Sequence, residues 1–181
     1  MRSTRGTRRA IHALSAVLLA AGMLLLTAAS AAGVIEVDAA LYPVQEDGWY
    51  DTMCEVAVYI DSYQTLPDNY LTKREAQALG WEASRGNLWT VADGCSIGGD
   101  RFGNYEGSLP EAKGRSWKEC DIGYQGGYRG GERIVFSNDG LIYYTDDHYK
   151  TFDEVRVVRL EEGATTEDDG WTDILNWLWG G

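Results

Sequence analysis

The chain has 181 residues, enough for one domain of ordinary size with extensions. Its net charge is −12, and residues 32–181 alone hold 12 basic and 28 acidic residues, leaving −16. That excess excludes the broad basic face of a general nucleic-acid binder, so any polyanion must be held in a local basic pocket.

Residues 1–31 read as a secretory signal peptide. Arg2, Arg5, Arg8 and Arg9 form a basic start, Ala13 to Leu26 is apolar, and Ala29-Ser30-Ala31 is a small-residue cleavage pattern. Cleavage is expected after Ala31, giving a secreted protein without a membrane span. Thr7-Arg8-Arg9 adds a faint twin-arginine character. Export sends Cys54, Cys95 and Cys120 to an oxidising compartment. Three is odd, so at most one internal bridge can form. With no C-x-x-C spacing, no zinc cluster is expected.

Residues 32–50 show no sustained periodicity and read as a spacer or short pro-segment. Residues 51–159 read as the domain. A helix is expected over 51–64, where Met53, Val56, Ala57 and Ile60 make one apolar stripe and Asp51 or Thr52 caps the start. Thr72 to Glu75 matches a capping box, and Gly80 is a natural stop for the helix that follows. Lys73 in its first turn opposes the helix dipole, which hints at another role. A further short helix is expected from Asn87 to about Gly94.

From Ser96 the pattern turns to strands: Ser96–Phe102, Arg115–Ile122, Glu132–Ser137, Leu141–Tyr144 and Asp153–Val158. In the second, Trp117, Glu119 and Asp121 share a face. Asn138-Asp139-Gly140 is a hairpin signal. Helices first and strands later point to an α+β fold, N-terminal helices packed on an antiparallel sheet. Residues 160–170 read as an acidic linker. Residues 171–181 form a Trp-rich apolar tail, too short to span a bilayer and expected to dock on the domain.

His12 and His148 are the only histidines. With the leader removed, His148 is the sole imidazole, the side chain suited to proton transfer near neutral pH. Glu119 supplies a carboxylate partner, and Arg129 and Arg133 supply planar cations suited to phosphate. An acid, a base and a phosphate clamp imply phosphodiester cleavage with no metal and no cofactor. Singly, each of these residues is an ordinary surface residue, and the competing reading is a non-catalytic RNA- or protein-binding module.

Several stretches tip that balance. LPDNYLTKREAQALGW, GNLWTVADGCSIGGDRFGNYEG, GRSWKECDIGY and LIYYTDDHYKTF closely resemble the barnase-like extracellular microbial guanyl-specific ribonucleases, from about Asp51 to Arg156. The resemblance implies a monomer that cleaves single-stranded RNA 3′ of guanosine. It makes Glu119 the general base, His148 the general acid, and Lys73, Arg129 and Arg133 the phosphate-contacting cations. It assigns Phe102, Gly103, Asn104, Glu106 and Tyr149, the residue that follows the histidine, to base recognition. Asp121 matches an aspartate bracing the two arginines, and Arg115 with Asp139 a structural ion pair.

The chain departs from the family at Gly103, commonly serine, and at Tyr105, commonly arginine. The lost cation implies weakened binding of a barstar-like inhibitor. A tyrosine there can stack on a base instead, for about 1–3 kcal/mol. By analogy with the fold, Cys95 and Cys120 lie near adjacent strands. A bridge between them would contribute about 3 kcal/mol, leaving Cys54 free.

Overall fold

The computed structural model describes residues 33–159. The signal peptide, the acidic linker and the Trp-rich tail read from the sequence lie outside the described residues.

The fold is α+β. Seven strands form one sheet: β1 (Val34–Asp38), β2 (Tyr70–Leu71), β3 (Ser96–Phe102), β4 (Trp117–Asp121), β5 (Arg133–Ser137), β6 (Ile142–Thr145) and β7 (Asp153–Val158). Their order is β1-β7-β6-β5-β4-β3-β2. The helices are α1 (Met53–Tyr63), α2 (Lys73–Ala78) and α3 (Leu88–Val91).

The sheet is mixed, which corrects the antiparallel expectation. The five central strands pair antiparallel, but β1 pairs parallel to β7 and β2 parallel to β3. The 32–50 spacer reading needs the same correction. Gly33 donates its amide to Asp153 and accepts from the Glu154 amide, and Val34–Asp38 then runs along β7. β1 is five residues long and finds its partner some 120 positions away. No local pattern carries that signal.

Helix α1 starts at Thr52, whose hydroxyl accepts from the Glu55 amide. Val56, Ala57 and Ile60 join Ile122, Ile134, Phe136, Ile142 and Val155 of the sheet region in one apolar cluster. Each Val, Ile or Phe among them contributes about 1.5–3 kcal/mol on burial. Burial is wider than one stripe, because Val58 and Tyr59 are covered as well. Residues 39–50 close over that side: the Tyr59 hydroxyl donates to the Glu46 carbonyl, and its ring lies 5.8 Å from Tyr50.

The Thr72–Glu75 capping box forms at the start of α2. Asn87 does not cap α3 with its side chain. It donates to the Gly80 carbonyl and accepts from the Glu82 amide, tying the two helical segments together. The other face of the sheet carries Trp117, Val135 and Tyr143, packed with Leu109 and Phe152.

No Cys95–Cys120 bridge forms; all three cysteines are free thiols. In the β3–β4 register Cys120 sits opposite Gly98, and a Cβ on Gly98 would lie 2.6 Å from that of Cys120. Cys95 precedes Gly98 by three residues, about 10 Å of extended chain, beyond the ~7 Å Cα separation that a disulfide spans. Burial pushes the Cys120 thiol well above its ordinary pKa, which keeps it unreactive.

Candidate active site

The face of β4 that carries Trp117 also carries Glu119 and Asp121, as the alternation requires. Asp121 is 2% exposed and answers two guanidinium groups. Arg129 binds it through Nε at 2.5 Å and Nη2 at 2.6 Å, and Arg133 through Nε at 2.9 Å. Arg133 comes from β5, where it pairs with Asp121 in register. Arg129 comes from the loop between β4 and β5. A buried carboxylate with paired cations is the arrangement that makes such burial tolerable.

Glu119 is 8% exposed and is also met from two sides. Lys73 Nζ donates to Oε1 at 2.7 Å, and the Tyr149 hydroxyl donates to Oε2 at 2.7 Å. The same hydroxyl accepts from Arg133 Nε at 3.2 Å, so Tyr149 links Glu119 to the arginine cluster. Burial acts to raise the Glu119 pKa. The hydrogen bonds from Lys73 and Tyr149, with the charges of Lys73 and Arg129, outweigh it and hold the carboxyl below its ordinary range. Burial and the Glu119 carboxylate together push the Tyr149 phenol far up, so it remains a donor. The sequence reading placed Tyr149 with base recognition; the structure places its hydroxyl on Glu119.

Lys73 reaches Glu119 because α2 is aimed by β3. A bulge between Gly98 and Asp100 shifts the register there, with Gly99 at φ +92° supplying the extra residue. Asp100 then accepts the Lys73 backbone amide at 2.8 Å. Asp100 carried no sequence signal, since its effect depends on the bulge.

His148 is exposed, in the β6–β7 loop. Its ring centre lies 5.1 Å from that of Tyr149, and both residues have left-handed backbones, φ +62° and +70°. Such conformations persist only where the surroundings impose them. Asp147 does so here. Its carboxylate accepts from the amides of Lys150 and Thr151 and from the hydroxyls of Thr145 and Thr151. Those bonds, with burial working against them, lower its pKa to about 2. Asp147 was also missed, although an aspartate between Thr145 and Thr151 is a readable side-chain-to-backbone turn pattern.

The segment Phe102–Glu106 leaves the end of β3 beside this cluster. Phe102 is half-buried, with its ring 5.4 Å from that of Tyr149. Asn104 is buried at φ +46° and spends its amide on both backbone groups of Leu109, which shapes the loop instead of offering a side chain to a ligand. Glu106 is exposed. The Tyr105 ring lies over Gly103 and is 95% exposed. Arg115 and Asp139 form their expected pair at 2.7 Å. Among the described residues, no group of His, Cys, Asp and Glu is placed to hold a metal ion, and no helix is long and apolar enough to cross a membrane.

A family model described as ribonuclease matches residues 54–156. The ribonuclease of Bacillus intermedius is 57% identical over 106 residues, covering 59% of this chain and 65% of that protein. The ribonuclease of Bacillus pumilus matches to the same extent. The chain therefore spans just under two thirds of the length of these two relatives. The ribonuclease of Heyndrickxia coagulans is 57% identical over 106 residues and is covered to 97%. A crystal structure of ribonuclease Sa2 with guanosine-2'-cyclophosphate is 34% identical, with coverage of 31% of this chain and 60% of that one and a TM-score of 0.28, too low to bear on the fold. Strand β1 and residues up to Trp49 lie outside the family match. With the matched segment holding the whole cluster of Glu119, His148, Lys73, Arg129 and Arg133, the chain belongs to the ribonuclease family.

Proposed function

We propose that the protein is a secreted, monomeric endoribonuclease that cleaves single-stranded RNA 3′ of guanosine, without a metal. The observation that carries this reading is the state of Glu119. It is a buried carboxylate held ionised by Lys73 and Tyr149, beside two arginines fixed by Asp121, with an exposed imidazole one residue from Tyr149.

In the first step Glu119 takes the proton of the ribose 2′-OH, and that oxygen attacks the adjacent phosphorus. His148 donates a proton to the departing 5′-oxygen, leaving a 2′,3′-cyclic phosphate. In the second step the roles reverse, and water opens the ring. Lys73, Arg129 and Arg133 supply fixed positive charge where the phosphoryl oxygens gain negative charge, commonly the largest catalytic contribution. DNA lacks the 2′-OH and is not cut. The likeness of Phe102–Glu106 to the family's recognition loop supports guanosine. Export rests on the reading of residues 1–31, and weakened binding of a barstar-like inhibitor rests on Tyr105.

The test is cleavage of a single-guanosine RNA in EDTA by the wild type, Glu119→Ala and His148→Ala. General acid–base groups contribute about 10²–10⁴-fold each, so both variants should lose that much while cutting stays 3′ of guanosine through a cyclic phosphate. A folded wild type that binds the RNA and leaves it intact would establish a binding module instead.

A further inference from the structure

The protein carries a second aromatic feature away from the phosphate cluster. Trp49 and Trp89 line one cleft of about 290 Å3, together with Asp51, Asn69, Gly94 and Gln125. Trp49 is 58% exposed and seated against Gly94, where a Cβ would come within 3.0 Å of its ring. Trp89 is half-buried and fixed. Its Nε1 donates to the Cys95 carbonyl at 2.9 Å, and its ring meets Tyr124 edge-on at 5.6 Å. Gln125 donates to Asp51 at 2.6 Å and keeps amide groups able to meet a base edge.

We propose that this cleft is a base-stacking subsite for a nucleotide flanking the cleaved bond, an inference that rests on the ribonuclease reading. Position is the first reason. Gln125 and Arg129 stand four residues apart on one loop, so the cleft lies within about 14 Å of the phosphate-binding arginine along the backbone. That is short against the ~4–16 nucleotides that single-strand-binding surfaces track. Charge is the second. The cluster sets Lys73, Arg129 and Arg133 against Glu119 and Asp121, a surplus of one, in a chain whose residues 32–181 sum to −16. Little charge is left to hold the rest of a strand. Stacking on an indole needs none, and every base offers a ring face. Trp49 precedes the family match at residue 54, so that wall of the cleft lies outside the matched segment, while Trp89 and Gln125 lie inside it.

The experiment compares kcat/KM for a guanosine dinucleoside phosphate with that for longer single-guanosine RNAs extended 5′ or 3′. In Trp49→Ala the ratio of long to short should fall about 5- to 150-fold, the equivalent of one stacked base. Trp49→Phe should restore most of it. The slope of log Kd against log salt should not change, since no phosphate contact is lost. An unchanged ratio, or equal losses on both substrates, overturns the subsite. If the wild type cleaves neither RNA, the ribonuclease reading falls, and indole quenching by the same RNAs decides the cleft separately. Quenching that Trp49→Ala abolishes upholds it; quenching by a monosaccharide but by neither RNA overturns it.

Discussion

The phosphate cluster and the base loop sit side by side and are built in opposite ways. Around Asp121, the carboxylates and cations are buried or half-buried and each is met by a counter-group. Around Tyr105, the chain is exposed and turns on small residues. Both departures read from the sequence, Gly103 and Tyr105, fall in the second region. On the proposed mechanism, transition-state charge demands fixed groups, which the first region supplies. Recognition of a base can be met by several surfaces, and the second region offers an exposed ring for it.

The largest break in that contrast should come from Asp121→Ala. It strands Arg133, 3% exposed, without its carboxylate. Breaking a buried pair from one side costs about 3–5 kcal/mol, to be read from urea melts. A loss under about 1 kcal/mol would mean that the cluster is not held by Asp121.

A middle effect is expected from Tyr149→Phe. Glu119 has a lowered pKa, so its ionised form adds stability that is present above the ordinary carboxylate range and lost as the pH falls through the depressed value. Removing the Tyr149 donor raises the Glu119 pKa toward the ordinary range. The acid limb of the kcat/KM profile should move to higher pH, with the loss of rate greatest at the acid end. An unmoved limb would assign Tyr149 to the base alone.

The smallest effect tests the other region. A Cβ on Gly103 would collide with the Tyr105 ring, so Gly103→Ala must push that ring aside. If the ring stacks on a base, kcat/KM on RNA should weaken by up to the ~1–3 kcal/mol of one stack whatever the base, and adding Tyr105→Ala should cost nothing more. Additive losses in the double variant would show the two departures to be independent.

Most of this architecture is written in local pattern. Alternation marks Trp117–Asp121, the Thr72 capping box marks α2, and Asn138-Asp139-Gly140 marks the turn between β5 and β6. The residue types of the site are legible as well, because few side chains suit proton transfer and phosphate. What stays hidden is long-range or depends on register. The pairing of β1 with β7 joins distant segments, and the bulge at Gly99 moves Asp100 onto Lys73. The offset of Cys95 from Cys120 needs the β3–β4 register. The Tyr149–Glu119 bond needs a loop held by Asp147.

The parallel sense of β1 also gives the molecule two unlike ends. Gly33 meets Asp153, five residues past His148, whereas Asp38 meets Val158 at the far end of the strand, about 17 Å on. Gly33 is therefore held beside the loop that carries His148. Arg159, at the opposite rim, is tied to Asp61. The two ends of the described chain thus face different surroundings: Gly33 the histidine loop, and Arg159 the end of α1 at Asp61 and Ser62.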